Sequence, residues 1–221
     1  ALPGTAAEAE AIAPLFPDAT VLTGTQATEN ALKAIDSPRI LHIATHGFFF
    51  EDIALETNQD FLNGATFANA GTNFGRTTPV VENPMLRSGL ALAGANNRDS
   101  GTEDGVLTAL EAANLNLEGT QLVVLSACDT GLGDIANGEG VYGLRRSFAI
   151  AGAESQLMSL WWVSDEGTQV LMSGYYKNLE QGMGRSEALR AVQLELLNDP
   201  QYNYPYYWAS FILAGDWKPL E

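Results

Sequence analysis

The chain has 221 residues, 46% of them hydrophobic, which is enough for one large domain with a sizeable buried core. Its 27 acidic and 11 basic side chains give a formal net charge of -16 at pH 7, which repels nucleic-acid phosphates and anionic lipid surfaces. The same acidity attracts peptides that carry Lys or Arg, although an acidic surface that only maintains solubility is the commoner explanation.

The chain contains one cysteine, Cys128, and two histidines, His42 and His46. A single cysteine excludes an intrachain disulfide and a four-thiolate zinc site, and it fits a reducing compartment. The His, Cys and acidic positions show no metal-ligand spacing, so we expect no catalytic metal and no other cofactor. No apolar run approaches the roughly 20 residues that a membrane-spanning helix needs, so we expect a cytoplasmic protein.

The first part of the chain alternates between helical and strand patterns. Helices are predicted at 6–15 and 25–35, with a short strand at 19–22 between them. The compact apolar run 40–45 predicts a buried strand, and His46 follows it at once. A polar, chemically active side chain is therefore expected where this strand ends.

Residues 48–87 are rich in Asn, Gly, Thr and Phe and show little periodicity, so we expect a long irregular insertion that lines a cleft. A strand is predicted at 89–92 and a short helix at 108–113. The run 121–126 is the clearest buried parallel strand in the sequence, and Cys128 follows it directly.

The last part of the chain completes an α/β pattern. The predicted elements are a glycine-rich loop at 129–140, a helix at 141–151, a strand at 156–163, helices at 165–179 and 185–197, and a strand at 207–213. This alternation favours a single domain over 1–221, with a mostly parallel central sheet and helices on both faces.

Both His46 and Cys128 are expected at the carboxyl ends of parallel strands, which meet at one crevice in an open α/β sheet. A thiol beside an imidazole is an activated nucleophile, because the base removes the proton or holds the thiolate as an ion pair. Gly47 and the N–H of Cys128 can donate to an oxyanion. The alternative for each is an inert structural residue, and for His42, deeper in its strand, we favour a hydrogen-bonded core role.

The glycine-rich loop 131–140 resembles a phosphate-binding loop in its glycine content. It carries Asp134 and Glu139, which repel phosphate, and no Lys at the start of the following helix. We therefore interpret it as a mobile loop beside the nucleophile rather than as a nucleotide site.

Five motifs, in this order along the chain, resemble the CHAT domain family. They are His42-Ile-Ala-Thr-His-Gly-Phe48, Val124-Leu-Ser-Ala-Cys-Asp-Thr-Gly-Leu-Gly133, Gly138-Glu-Gly-Val-Tyr-Gly-Leu144, Ser159-Leu-Trp161 and Tyr207-Trp-Ala-Ser-Phe211. The resemblance runs from about Leu2 to Trp217. It implies a caspase-like three-layer sandwich and a cysteine peptidase domain of the kind usually attached to tetratricopeptide repeats.

The resemblance also implies site residues and partners. It makes His46 the general base and Cys128 the nucleophile, with the backbone amides of Gly47 and Cys128 holding the oxyanion. Family members usually have further sheet strands and helical repeats upstream, so we expect this chain to be the C-terminal part of something larger. A tetratricopeptide-repeat or other regulatory partner is expected, with no direct contact to nucleic acid or membrane.

By similarity to caspases, the strand that contains Trp161 forms a wall of the pocket for the residue before the scissile bond. Asp165, just beyond it, and Asp129, next to the nucleophile, are candidate pocket acids that favour Arg or Lys. The alternative is that Ser164 caps a helix whose first turn contains Asp165 and Glu166, where the helix dipole stabilises carboxylates. For Glu166 we favour that alternative.

The function that these observations favour is a cysteine endopeptidase acting on proteins, regulated by a sensor partner and cleaving after a basic residue. Two alternatives stay open: a catalytically silent module that binds peptide or protein in the same cleft, and a thiol hydrolase or transferase acting on small acyl substrates. The aromatic run 202–208 is expected to pack in the core near the last strand rather than to form an exposed contact surface.

Overall fold

A computed structural model describes residues 3–49, 84–126, 139–161 and 164–221. Its strands form a four-stranded central sheet in the order β1-β5-β6-β7 and a three-stranded sheet in the order β2-β3-β4. The strands are β1 (Ile40–Ile43), β2 (His46–Phe49), β3 (Ser88–Ala91), β4 (Val106–Thr108), β5 (Leu122–Leu125), β6 (Ser155–Ser159) and β7 (Phe211–Gly215).

The described helices surround the central sheet. They are α1 (Pro3–Ile12), α2 (Glu29–Lys33), α3 (Ala109–Ala112), α4 (Glu139–Ile150), α5 (Asp165–Glu180) and α6 (Arg185–Asn198). Single 3₁₀ turns occur at Ala13–Leu15, Gly24–Gln26, Pro84–Leu86, Ala95–Asn97 and Pro205–Tyr207.

The central strand β5 is apolar and fully buried, as expected of a parallel strand covered on both faces. Val123 and Leu125 point into a core shared with α2, α3 and α4. Leu122 and Val124 point the other way, into a core shared with α5 and α6, against which part of α1 also packs. The domain is therefore an α/β sandwich of three layers, as predicted. Pairs β1–β5 and β5–β6 are parallel, and only β7 is antiparallel to its neighbour among the described strands of this sheet.

The three-stranded antiparallel sheet follows directly after β1 in the chain. Phe48 pairs with Gly89, and a Cβ at Gly89 would lie 2.6 Å from the Phe48 ring and from the Leu107 carbonyl oxygen. Glycine there lets the Phe48 ring lie across β3. At the end of β4, Thr108 and Glu111 form a capping box that starts α3.

Most predicted elements are confirmed: the helices around α1, α3, α4, α5 and α6, and strands β1, β3 and β5. The predicted helix at 25–35 is shorter, because α2 begins only after Thr28, whose hydroxyl accepts from the Ala31 N–H. Strand β6 ends at Ser159, short of the predicted 163. Strand β7 begins at Phe211, later than predicted, because Pro205–Tyr207 forms a 3₁₀ turn.

The predicted strand at 19–22 is wrong. This segment pairs with no other described segment, and Val21 and Leu22 are 46% and 44% exposed. β-Forming residues make a strand only where a neighbouring backbone pairs with them. Of the insertion predicted at 48–87, the ends belong to β2 and to the turn Pro84–Leu86, while 50–83 lie outside the described residues.

Candidate functional site

Strands β1, β5 and β6 end at the same edge of the central sheet, which we call the site edge. In the parallel β1–β5 pair, Ile43 is the register partner of Leu125. The pairing continues one residue further, because the Ser126 N–H donates to the Ile43 carbonyl at 3.0 Å. The two strands that lead to His46 and Cys128 are thus direct neighbours, which the sequence did not determine.

His46 is held at this edge by its own backbone pairing. It is the first residue of β2 and pairs with Ala91, and the hydroxyl of the preceding Thr45 donates to the Ala91 carbonyl. The His46 side chain is exposed, and Gly47, the register partner of Leu90, is half-buried. The imidazole therefore stands on a paired strand and faces solvent.

Cys128 and Asp129 lie outside the described residues, which reach Ser126 before resuming at Glu139. The Cys128–His46 pair, the Cys128 amide and a pocket role for Asp129 therefore remain predictions. The glycine-rich loop 131–140 also falls largely in this segment.

Trp161 and Asp165 follow β6 at the site edge. Trp161 is half-buried and packs against the core on the α5 and α6 side, while the neighbouring Leu160 N–H donates to the Ser210 carbonyl at 3.0 Å. Asp165 is exposed at the first position of α5. Gly4, near the start of α1, packs against it, because a Cβ added at Gly4 would lie only 2.4 Å from the Asp165 carboxylate.

The helix-start interpretation of 164–166 is confirmed. The Ser164 hydroxyl caps α5 by accepting from the Gly167 N–H, with Asp165 and Glu166 in the first turn. Glu166 is also engaged from outside the helix, because its Oε1 accepts from the Tyr202 hydroxyl at 2.7 Å and from the Gln201 side chain. That hydrogen bond, with a smaller contribution from burial, raises the pKa of Tyr202 to about 12.

The aromatic run 202–208 packs much as predicted. Tyr202 and Trp208 pack against the core on the α5 and α6 side, and the Tyr202 and Tyr207 rings meet edge to face at 5.6 Å. Tyr204 is the exception, being 68% exposed. The run thus mainly closes the end of the sheet beside β7.

His42 has the hydrogen-bonded core role that the sequence favours. Its Nδ1 lies 2.8 Å from the Tyr176 hydroxyl, and its Nε2 lies 3.2 Å from Glu8 Oε1. The other Glu8 oxygen accepts from the Ser126 hydroxyl at 2.9 Å. Sequence reasoning missed Glu8, Ser126 and Tyr176. One signal was present, because Glu8 lies on the same helical stripe as Ile12 and Leu15, which face the core.

Comparisons with known proteins identify the family. The CHAT domain model matches residues 1–216. The chain belongs to the CHAT domain family. This domain is 26% identical over 196 residues to human Tetratricopeptide repeat protein 28 and 25% identical to the mouse protein of the same name. The match covers 88% of this chain but only 8% of the length of either relative.

The family and the fold agree with each other, and both are those that the sequence motifs predict. CHAT domains are caspase-like and related to peptidases, and both relatives are named as tetratricopeptide repeat proteins. Within the described residues, no helix of the CHAT domain combines the length and the apolar character that crossing a membrane requires.

One carboxylate cluster in the described part of the CHAT domain has the spacing of a metal site. Its members are Glu29, Glu103 and Glu111, but the Lys33 ammonium already lies 2.7, 2.8 and 2.9 Å from their oxygens. Partial burial alone would lower the pKa of Lys33, yet the three carboxylates, Glu103 foremost, raise it. The cluster is therefore an internal ion-pair network that joins α2 to the start of α3.

We expect Lys33→Met to lower the free energy of unfolding of the CHAT domain by about 2 kcal/mol at pH 7, because Glu29 is 1% exposed and loses its counter-charge. Burial favours a higher pKa for Glu111, but hydrogen bonds from the Thr108 N–H and Lys33 outweigh it and lower the pKa below 4.5. The contribution of that carboxylate is therefore present above pH 4.5 and is lost as the pH falls through its folded-state pKa.

Urea unfolding of wild type and variant from pH 7 to pH 3 tests this prediction. The difference in free energy of unfolding between wild type and Lys33→Met should become smaller below about pH 4.5 as the carboxylates become protonated. Lys177→Met, at an exposed position on α5, is the matched control and should change stability by less than about 0.5 kcal/mol. A difference in free energy of unfolding that does not change with pH would contradict the proposed ion pairing between Lys33 and the three carboxylates.

Proposed function

We propose that this CHAT domain is a cysteine endopeptidase in which His46 is the general base and Cys128 the nucleophile. The observation that carries the proposal is the register of β1 and β5. Ile43 and Leu125 are partners, His46 follows Ile43 by three residues, and Cys128 follows Leu125 by three. Neighbouring strands lie about 4.8 Å apart, so equal offsets from paired residues favour a contact between the two side chains.

The proposed chemistry is acyl transfer through a thioester. His46 takes the Cys128 proton, and the thiolate attacks the scissile carbonyl to form a tetrahedral intermediate. The oxyanion is held by the backbone N–H groups of Gly47 and Cys128. The imidazolium then protonates the leaving amine, and His46 activates the water that hydrolyses the thioester. The exposed position of His46 supports this role, because substrate and water can reach the imidazole.

We further propose that the enzyme cleaves after Arg or Lys, with Trp161 forming a wall of the pocket and Asp129 and Asp165 supplying negative charge. Trp161 follows β6, the strand beside β5, so its place at the site edge supports the wall. Asp165 is exposed, and the net charge of -16 favours cationic substrates.

The relatives that contain tetratricopeptide repeats support a regulatory partner of that class, either attached to the domain or separate from it. Such a partner would bind the CHAT domain and control access to the site edge. A cytoplasmic location follows from the same proposal, since a free catalytic thiol suits a reducing compartment.

Mass spectrometry with an Arg-terminated peptidyl acyloxymethyl ketone tests the proposed function. We expect one adduct per chain, mapped to Cys128 and absent in Cys128→Ala. Iodoacetamide supplies the control, because it reports whether the thiol is accessible without requiring activation. A folded protein whose thiol reacts with iodoacetamide but not with the peptidyl probe would be a silent interaction module instead.

The proposed preference for a basic residue predicts a selective effect of the pocket acids. Asp165→Asn and Asp129→Asn should each slow labelling by the Arg-terminated probe about tenfold, the equivalent of about 1.4 kcal/mol. Labelling by a probe that ends in norleucine should stay within about twofold of wild type. Equal slowing of both probes would point to a structural defect, and no slowing of either would indicate an apolar pocket.

A further inference from the structure

A group of four polar side chains, each from a different element, lies behind the site edge. Glu8 comes from α1, His42 from β1, Ser126 from the end of β5 and Tyr176 from α5. Three members are buried, with Glu8 4%, Ser126 8% and Tyr176 1% exposed, and the His42 side chain is 20% exposed. We call these residues the buried quartet, and the proposed mechanism uses none of them.

We propose that Glu8 is a positioning residue, whose carboxylate fixes Ser126 and so the end of the strand that leads to Cys128. This inference rests on the proposed function, since it concerns the residue proposed as nucleophile. Glu8 Oε2 accepts from the Ser126 hydroxyl at 2.9 Å, and the Ser126 N–H donates to the Ile43 carbonyl at 3.0 Å. Ser126 is thus held from α1 by its side chain and from β1 by its backbone.

The remaining two members, His42 and Tyr176, lie beside the carboxylate and contact each other. Burial raises the pKa of Tyr176 well above its usual value, so its phenol stays protonated beside His42 Nδ1. His42 Nε2 lies 3.2 Å from Glu8 Oε1, but the two atoms do not form a hydrogen bond. The hydrogen bond from the Ser126 hydroxyl to Oε2 is therefore the contact that orients the carboxylate.

The energetics indicate a role other than simple packing. A buried carboxylate is costly, and an apolar side chain of similar volume would usually pack at no loss of stability. Ile12 at the end of α1 and Leu15 in the following 3₁₀ turn are apolar and pack against the same core. Glu8 is the charged exception on this side of the segment, and its partner Ser126 precedes Cys128 by two residues. We therefore infer that the benefit of the carboxylate lies in geometry.

The first test is the kinetics of labelling by the Arg-terminated ketone. Ser126→Ala and Glu8→Gln should each lower the maximal rate of inactivation about tenfold or more, since small misplacements of a reacting group are costly. The concentration for half-maximal rate should not change, because the quartet lies behind the cleft. The double variant should be no slower than the slower single variant. Glu10→Gln, an exposed carboxylate on the same helix, should behave as wild type.

Multiplicative effects in the double variant, wild-type rates in both single variants, or a change confined to the half-maximal concentration would overturn the proposal. Failure of the wild type to label would instead reject the proposed function. Amide hydrogen exchange then still tests positioning, because Glu8→Gln should speed exchange at the Ser126 N–H about tenfold while Glu10→Gln does not. Unchanged protection at Ser126 would refute the role of Glu8 whether or not the domain is active.

Discussion

Replacing Arg185 with methionine is expected to lower the free energy of unfolding by about 3 kcal/mol. The Arg185 side chain is 2% exposed at the first position of α6. It donates to the Lys218 carbonyl at 2.9 Å, to the Ser155 hydroxyl at 3.1 Å and to the Gln121 carbonyl. Gln121 and Ser155 lie where β5 and β6 begin, and Lys218 follows β7. Most of the cost comes from losing these three buried hydrogen bonds, at about 1 kcal/mol each. The Lys218 and Gln121 carbonyls keep other donors, the Arg185 N–H and the Ser155 hydroxyl.

Two carboxylates also contact the Arg185 guanidinium, Glu154 at 3.4 Å and Asp216 at 3.3 Å. Both are partly exposed, so water can replace the arginine and they add little to the expected loss. Methionine keeps most of the apolar volume of the stem, which separates the loss of hydrogen bonds from the loss of packing. The effect should therefore come mainly from the lost hydrogen bonds to Lys218, Gln121 and Ser155.

Urea denaturation followed by circular dichroism measures this effect. Arg190→Met is the matched control, since Arg190 is exposed on the same helix, and we expect a change below about 0.5 kcal/mol there. A loss of less than about 1 kcal/mol in Arg185→Met would mean that water replaces the guanidinium as a donor, contrary to its burial.

Replacing His46 with alanine is expected to slow alkylation of Cys128 by a peptidyl ketone about 100-fold to 10,000-fold at pH 7, the range for loss of a positioned base. The fold should be unaffected, because the His46 side chain is exposed and its role in β2 depends on backbone pairing. Activity should be lost without loss of stability, which distinguishes His46 from Arg185.

The pH profile gives a sharper test than the rate at one pH. With His46 present, the thiolate is held as an ion pair and the rate should be nearly constant from pH 7 to pH 9. Without it, the rate should rise about tenfold per pH unit until the thiol reaches its ordinary pKa of about 8.5. Addition of free imidazole should partly restore the variant at pH 7. Identical pH profiles in both proteins would contradict the role of His46 as base.

The long elements could be predicted because their patterns are strong and local. Strand β5 is a continuous apolar run, and α5 and α6 span 16 and 14 residues with clear starts. Two strands of the three-stranded sheet were not predicted. Strand β4 has only three residues, and β2 begins at His46, where the sequence pattern indicates the end of a strand. The segment 19–22 shows the opposite error, strand propensity without a pairing partner.

The site was predictable to the level of the strands that carry it. The apolar runs before His46 and Cys128 sufficed to predict a strand ahead of each residue, but only the structure shows that β1 and β5 are neighbours. The buried quartet was not predictable, since 118 residues separate Glu8 from Ser126 and 134 separate His42 from Tyr176. Among these residues, only Glu8 could have been noticed in the sequence, as an acidic residue at helical spacing from the apolar residues Ile12 and Leu15.

The two ends of the described chain leave the domain from opposite edges of the central sheet. Gly4 lies against Asp165 at the site edge, whereas the Glu221 N–H donates to the Gln121 side chain, just before β5 begins. A strand of four residues at about 3.3 Å per residue separates these edges by about 13 Å. A module fused ahead of Pro3 would therefore lie beside the site edge and would restrict access to it. A tag placed after Glu221 would lie at the opposite edge of the sheet and leave the site edge accessible.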